Sequence, residues 1–261
     1  MINALSSYWL ILWSIATVIC LSWNEGHHLN EALISPRWIN YPIFGTDPFG
    51  RDLLLLTLKG AFKSMSMAIV ATAVIFPISV SLGLIIAIAN EGAKQIAKAI
   101  LDFFISFPAF ILALAFVAII GTGWHTLIAS LFLFMLPNAV RLNLVKTESL
   151  LKEDYILAAS AMGASRFDIS LRHLAPQVLQ FALIKLPNLF SRLLIAEAAL
   201  SFMGIGAPLG ETTWGMLLSQ SRHYLIEAPY MAFFTGLPLF ITVFSFQQIS
   251  ENLEFRFIRN H

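Results

Sequence analysis

Charged residues are scarce in this sequence of 261 residues. Asp, Glu, Lys and Arg together make up 12% of the chain, whereas 58% of its residues are hydrophobic. Soluble domains are about one quarter charged, and a chain with so little charge cannot cover a globule with polar surface. This scarcity argues against a water-soluble globular protein and favours lipid as the surroundings of much of the surface.

Other absences exclude further classes of function. The net charge of +1 offers no concentrated basic face for nucleic acid. The single cysteine, Cys20, excludes an intramolecular disulfide framework. None of the 14 glycines is followed by lysine, so the chain lacks a phosphate-binding loop for ATP. His27 and His28 are adjacent, and two neighbouring histidines do not make a metal site without other ligands. We therefore expect neither ATP hydrolysis nor a bound metal in this chain.

Long uncharged stretches dominate what is present. A membrane-spanning helix needs about 20 mostly apolar residues, and a soluble helix of this length would show a polar stripe. Six windows qualify: Tyr8–Trp23, Met65–Asn90, Phe103–Ile120, Thr126–Val140, Phe181–Gly206 and Met231–Ile249. The sequence predicts an all-α polytopic membrane protein with six transmembrane helices.

The first window and the distribution of basic residues predict the orientation. Residues 1–23 contain no Lys or Arg, so we expect an uncleaved membrane helix rather than a signal peptide. Six spans place both termini on one side. If that side is the cytoplasm, its segments hold nine Lys and Arg residues and the outer segments hold five. This bias predicts cytoplasmic termini.

The loop between the fourth and fifth windows, residues 148–176, predicts two short helices. Leu150–Met162 contains good helix formers and no breaker, and Gly163 follows as a terminator. Ser165 and Asp168 match a capping box that starts a second helix, which Pro176 is expected to end. Such a pair could lie on lipid headgroups or dock a cytoplasmic partner, since both use the same composition.

The spacing within this loop resembles the inner-membrane permeases of ATP-binding-cassette importers. That family shares Glu-Ala-Ala, three residues, Gly, nine residues, and a hydrophobic-x-Leu-Pro ending. Ala158-Ala159, Gly163 and Pro176 follow this spacing. Leu157 stands in place of the family's glutamate and Ala175 in place of its leucine.

Two more motifs resemble one group within this family, the dipeptide, oligopeptide and nickel permeases. Residues 44–52, Phe-Gly-Thr-Asp-Pro-Phe-Gly-Arg-Asp, are similar to the first-loop signature of the group's C-type subunit. Residues 196–206 with Trp214-Gly215 are similar to the end of its fifth span. Ser106-Phe107-Pro108 in the third window adds to the match. We divide the chain into 1–63, the first helix with its external loop, and 64–261, a permease core of five spans.

The resemblance implies a permease subunit of a bacterial inner-membrane importer. Its implied partners are a paralogous permease, two cytoplasmic ATPase subunits that bind ATP and Mg²⁺, and an external solute-binding protein. The loop 148–176 is then the coupling loop that seats on an ATPase. The residues that the resemblance assigns to the coupling loop are Asp154, Ala158, Ala159, Gly163, Ala164, Ser165 and Pro176. Those that it assigns to the external signature are Gly45, Thr46, Asp47, Gly50, Arg51 and Asp52.

Arg192 and Glu197 are ionisable residues inside the fifth window, where charge is costly and faces a cavity or a partner. Five residues apart on a helix, they point about 140° away from each other. Each could line the transport path or hold a neighbouring helix.

Peptides are the expected cargo, with nickel or a metal chelate as the alternative. A stand-alone secondary carrier would need intramembrane acids, of which Glu197 is one, and an intramembrane enzyme would need a nucleophile and base that the sequence does not pair.

Overall fold

The computed structural model describes residues 32–37, 42–205 and 211–259. The predicted first span, Tyr8–Trp23, and the histidine pair at 27 and 28 lie outside these ranges. The described residues confirm the predicted all-α fold, since their β-structure amounts to an isolated bridge between Thr46 and Asp52. The helices are, in chain order, α1 (Leu53–Ile88), α2 (Glu91–Ser106), α3 (Ala109–Ile120), α4 (Trp124–Leu150), α5 (Asp154–Ala161), α6 (Arg166–Asp168), α7 (Ala175–Phe202), α8 (Trp214–Ser221) and α9 (Pro229–Arg259).

Among the described residues, α1, α4, α7 and α9 are each long and apolar enough to cross a membrane. They correspond to the predicted second, fourth, fifth and sixth spans, but several extend well beyond their windows. Helix α1 begins at Leu53 rather than Met65, and α4 ends at Leu150 rather than Val140. The windows selected the most apolar part of each span, whereas a helix of 36 residues is longer than the ~30 Å hydrocarbon core. The charged turns therefore project beyond the apolar layer.

The predicted third span, Phe103–Ile120, is not one continuous helix. Helix α2 ends at Ser106, and α3 begins after Pro108, with an angle of 88° between the two segments. Phe107 is extended, with φ −79° and ψ 134°, because the ring of a following proline disfavours the helical conformation. Pro108 thus converts the predicted straight span into a bent pair. The described residues hold four continuous spans, or five if this pair counts as one.

Ion pairs attach α2 to α4. Asp102 pairs with Arg141, and Lys98 pairs with Glu148 at 2.8 Å. The opposite side of α2 is apolar and exposed, with Ile96 65% accessible. Arg141 and Glu148 lie beyond the predicted end of the fourth span, and their ion pairs with α2 hold the bent pair against the bundle.

The bundle is packed around α1, which lies along both α4 and α7, while α9 lies along α7. Small residues allow close approach at these crossings, as is common between membrane helices. At Gly83 an added Cβ would lie 2.8 Å from the Asn143 Cβ. In each of the four long helices, 33% of the most apolar window is buried. The remaining apolar surface faces outward, as expected for lipid or a membrane-embedded partner.

Candidate functional site

The coupling loop begins with a shorter helix than the sequence predicts. Leu150 belongs to α4, and a turn separates it from α5, which starts at Asp154 and ends at Ala161. Ile156 and Ala159 face inward and are buried, whereas Asp154 and Ala158 are exposed. Leu157, at the position of the family's glutamate, is 55% exposed. The outward face of α5 is thus available to a partner and carries its acidic residue one turn before Leu157.

Gly163 ends α5 as predicted. Its backbone adopts φ +90°, its N–H donates to the Ser160 carbonyl, and the Ala164 N–H donates to the Ala159 carbonyl. This pair of hydrogen bonds is the Schellman arrangement, which favours glycine because a side chain is strained at positive φ. A Cβ on Gly163 would meet nothing within 4 Å. The requirement for glycine is therefore one of backbone conformation and not of space.

Ser165 starts the second short helix as predicted, but Pro176 does not end it. The Ser165 hydroxyl oxygen accepts a hydrogen bond from the Asp168 N–H at 3.1 Å. Helix α6 then continues through the π-helical segment Ile169–Leu174 directly into α7. Proline lacks an N–H, and its ring clashes with the carbonyl four residues earlier. The wider π-helical turns directly precede Pro176, so the helix widens before the proline and continues through it instead of ending there.

The coupling loop is packed against one end of the bundle, which we call the loop end. Buried side chains of the loop, including Ile156 and Ile169, share a core cluster with Val80 of α1 and Val178 of α7. The Arg166 guanidinium donates to the Ile88 carbonyl at 3.3 Å. The loop is thus packed against the ends of three membrane helices, α1, α4 and α7.

The predicted external signature, residues 45–52, forms an ordered turn at the opposite end of α1. Asp47 is fully buried, and its carboxylate accepts hydrogen bonds from the Phe49 and Arg51 N–H groups and from the Arg51 guanidinium at 2.7 Å. Asp52 caps α1 by accepting from the Leu54 and Leu55 N–H groups. Charge-assisted hydrogen bonds of this kind are strong and directional. Gly50 closes the turn at φ +71°.

The signature turn is also fastened to α9 and to residues 32–37. The Tyr230 hydroxyl donates to the Thr46 carbonyl at 3.0 Å, and the Phe44 ring stacks on Phe234 with centroids 4.3 Å apart. An added Cβ on Gly45 would lie 2.5 Å from the Ile34 carbonyl oxygen. The turn is therefore a rigid cap over the starts of α1 and α9.

Glu197 is fully buried where α7, α8 and α1 meet. Its Oε1 accepts from the Ser201 hydroxyl at 2.8 Å, and its Oε2, buried near Ser64 and Thr213, has no hydrogen-bond partner among the described residues. Ser64 in turn accepts the Trp214 N–H at 3.1 Å. The geometry makes Glu197 the centre of a polar contact between helices. The sequence indicated the acid but not the hydroxyl residues around it, which carry no spacing signal.

Arg192 lies on a different face of α7 and lines a cavity of ≈ 280 Å³ between α1, α4 and α7. The structure therefore separates the two ionisable residues, with Arg192 at a cavity and Glu197 inside a helix contact. We call it the polar cavity, because half of the residues that line it are polar, and these come from all three helices: Ser79, Asn138, Asn143, Lys185, Asn188 and Arg192. Sequence reasoning singled out Arg192 alone. The spacing of Lys185, Asn188 and Arg192 by three and four residues is a helical-face signal that could have identified the others.

The described residues contain no group of three or more His, Cys, Asp or Glu side chains placed to hold a metal ion. Within this part of the chain, the charged residues that line the polar cavity are the cations Lys185 and Arg192. A cavity of this charge repels a bare divalent cation.

Comparison with known proteins gives a consistent result. A family model described as "Binding-protein-dependent transport system inner membrane component" matches residues 79–259. The glutathione transport system permease protein GsiD of Pectobacterium atrosepticum is 32% identical over 86% of this chain and 73% of its own. The dipeptide transport system permease protein DppC of Alkalihalophilus pseudofirmus is 31% identical over 80% of this chain and 69% of its own.

Solved structures share the fold. Two crystal forms of the MetNI methionine ABC transporter in inward-facing conformations contain a chain that superimposes with TM-scores of 0.63 and 0.61. The matches cover 77% of this chain and 95% and 97% of the other, at 22% and 20% sequence identity. At this identity the likeness establishes a common helical architecture.

Proposed function

Since the chain belongs to the family of binding-protein-dependent transport system inner membrane components, we propose that it is a permease subunit of an ATP-driven importer of peptides. It has no ATPase chemistry of its own in this scheme. Its partners are a paralogous permease, two cytoplasmic ATPase subunits that bind ATP and Mg²⁺, and an external solute-binding protein. The loop end and both termini face the cytoplasm.

One observation carries the mechanism: the coupling loop is continuous with a wall of the polar cavity. Helix α6, the π-helical segment and α7 follow one another without a break, and Arg192 lies farther along α7. Movement of a rigid segment is transmitted, whereas a floppy loop would absorb it. Closure of the ATPases on ATP would displace the coupling loop and, with it, the cavity wall, so that the path alternates between outward-open and inward-open states.

The signature turn has the properties of an external docking element. Its backbone is held by the buried Asp47 and by Tyr230, and Phe49 projects from it with 54% of its surface exposed. A rigid turn at the end opposite to the coupling loop suits contact with the solute-binding protein or the paralogous permease. Rigidity lowers the entropy lost on docking.

Peptide cargo is favoured over nickel by the chemistry of the cavity. Its net positive charge, which comes from Arg192 because Lys185 pairs with Glu254, suits carboxylates and opposes Ni²⁺, and the relatives cited above are named for dipeptide and glutathione transport. A secondary carrier is disfavoured because Glu197, the intramembrane acid such a carrier would need, is occupied in a helix contact and does not line the cavity.

The test is reconstitution. The four kinds of subunit are assembled in proteoliposomes, and uptake of radiolabelled trialanine is measured with ATP, without ATP and with a non-hydrolysable analogue. We expect uptake only when hydrolysable ATP is present, and no uptake by vesicles that contain this chain without the other subunits. Nucleotide-independent uptake by the lone chain would instead establish a carrier.

A further inference from the structure

The polar cavity presents cations on one wall and an unused acceptor on another. We propose that it is a subsite for the cargo peptide, in which Arg192 binds the peptide's terminal carboxylate and the Asn143 Oδ1 accepts one of its N–H groups. This inference rests on the proposed function and names the part of the peptide that the permease itself recognises.

Arg192 supplies the net charge of the subsite. Lys185 also lines the cavity, but its ammonium pairs with Glu254 at 2.6 Å, so most of its charge is balanced within the chain. Arg192 is exposed on the cavity side of α7. A guanidinium within a membrane span is costly unless it faces a polar path or a partner, and its fork of donors matches a carboxylate. A carboxylate-bearing cargo satisfies both conditions.

Asn143 supplies a fixed acceptor. Its side chain is 4% exposed, and its Nδ2 donates to the Ser79 hydroxyl oxygen at 3.1 Å. The Ser79 hydroxyl hydrogen is already donated to the Phe76 carbonyl at 2.9 Å, so Ser79 can only accept from Asn143, which fixes the orientation of the amide. Within the described part of the chain, Asn143 Oδ1 accepts no hydrogen bond. A buried acceptor without a donor is unfavourable. The Oδ1 is closed to solvent in this structure, so a peptide N–H would reach and satisfy it when the helices that line the cavity separate during transport.

The arrangement suits transient binding. The carboxylate and the N–H are features of every peptide, so recognition through them does not depend on the peptide's side chains. Apolar residues such as Met135 and Leu189 complete the lining and can accommodate varied side chains. The exposed guanidinium keeps part of its hydration, and a charge pair of this kind is weak enough to release the cargo.

The experiment compares trialanine with its C-terminal amide, in proteoliposomes that contain the complete complex with wild-type chain, Arg192→Gln, Arg192→Lys or Arg222→Gln. Arg222 is the matched control, because its guanidinium lies over the Phe202 ring and away from the cavity. The affinity of the solute-binding protein for each peptide is measured separately, and uptake is compared at saturating concentrations of loaded binding protein. Co-purification of the subunits verifies that each variant assembles.

We expect Arg192→Gln to reduce uptake of trialanine about tenfold, the effect of losing a charge-assisted hydrogen bond, and uptake of the amide less than twofold. Arg192→Lys should recover much of the trialanine rate, and Arg222→Gln should leave both rates unchanged. Saturation-transfer NMR on the complex in nanodiscs, without binding protein, should show trialanine contacts that Arg192→Gln removes.

Two results would contradict these expectations in different ways. In the first, the wild-type complex imports trialanine, but Arg192→Gln either slows uptake of both peptides by the same factor or slows uptake of neither. The carboxylate subsite is then wrong, and the proposed function stands. If the wild-type complex imports neither peptide with ATP, the proposed function itself is wrong, and the inference is overturned with it.

Discussion

Gly163 separates the two short helices of the coupling loop through its backbone conformation. It adopts φ +90°, and the space around its α-carbon is open. An L-residue in the left-handed region is strained by about 1–2 kcal/mol, and asparagine tolerates this region better than a β-branched residue. The angle between α5 and α6 therefore depends on this one position.

We predict that Gly163→Val reduces ATP-dependent uptake about tenfold, because a strain above 1 kcal/mol favours a different loop path and displaces the docking face. Gly163→Asn is the matched variant, and we expect it to retain at least about half of the uptake. The measurement is uptake in proteoliposomes together with co-purification of the ATPase subunits. Equal activity of both variants would show that the ATPase contact does not depend on this backbone angle.

Some residues of the candidate sites can be predicted from the sequence, and others cannot. Asp47, Arg51 and Gly163 could be predicted, because turn and capping chemistry is local and leaves a pattern in adjacent positions. Asn143 and Ser79 could not, because their hydrogen bond joins residues 64 positions apart. Small polar residues are common in membrane helices, so their presence alone does not mark a cavity.

Helix α8 packs closely against α7 at Gly215, which has no side chain. A Cβ on Gly215 would lie 2.4 Å from the Ala198 carbonyl oxygen and 2.6 Å from the Ser201 Cβ. On the other side, the Trp214 indole N–H donates to the Thr57 carbonyl of α1 at 3.0 Å. This close approach brings α8 beside Glu197, so the glycine and the buried acid belong to one packing unit.

We predict that Gly215→Ala lowers the stability of the assembled complex by about 1–3 kcal/mol, the range observed for overpacked sites. Gly236→Ala is the control, because its added Cβ would make an ordinary contact, 3.7 Å from a Leu218 methyl carbon. Thermal unfolding of the two purified complexes in the same detergent gives the comparison. Equal melting temperatures would mean that α7 and α8 separate easily.

At the scale of helices, the sequence predicts the type and order of the elements better than their ends. Hydropathy locates the apolar centre of each span, but α4 continues to Leu150 through charged residues that pair with α2. Proline has opposite effects at two positions. Pro108 separates two helices, whereas Pro176 lies in the first turn of one. Which effect occurs depends on packing around the proline, and a single sequence does not contain that information.

At the scale of the whole molecule, the described residues form two structured ends, the coupling loop and the signature turn, with the polar cavity between them. The coupling loop shares a core cluster with α1, α4 and α7, and the signature turn caps the opposite ends of α1 and α9. Helix α1 therefore contacts both ends, while α7 begins at the coupling loop and passes the polar cavity. In the proposed mechanism, motion at either end reaches the cavity through these packed helices.

We predict that inserting two glycines after Leu174, between the π-helical segment and α7, uncouples the pump. The break should leave ATP hydrolysis near the wild-type rate and remove most of the uptake, because flexible glycines absorb displacement. The same insertion after Ile226, a residue 97% exposed, should leave both rates unchanged. Both activities are measured on the same proteoliposomes. Normal uptake after the first insertion would exclude α7 as the transmitting element.

The exposed guanidinium of Arg192 also has a consequence for biogenesis. In a newly made copy that has not met the other subunits, lipid tails could enter the open side of the cavity next to this charge, at a cost of several kcal/mol. Such an orphan polypeptide is a natural target for membrane quality-control proteases. Its cellular abundance should consequently follow that of its assembly partner, so that neither accumulates alone.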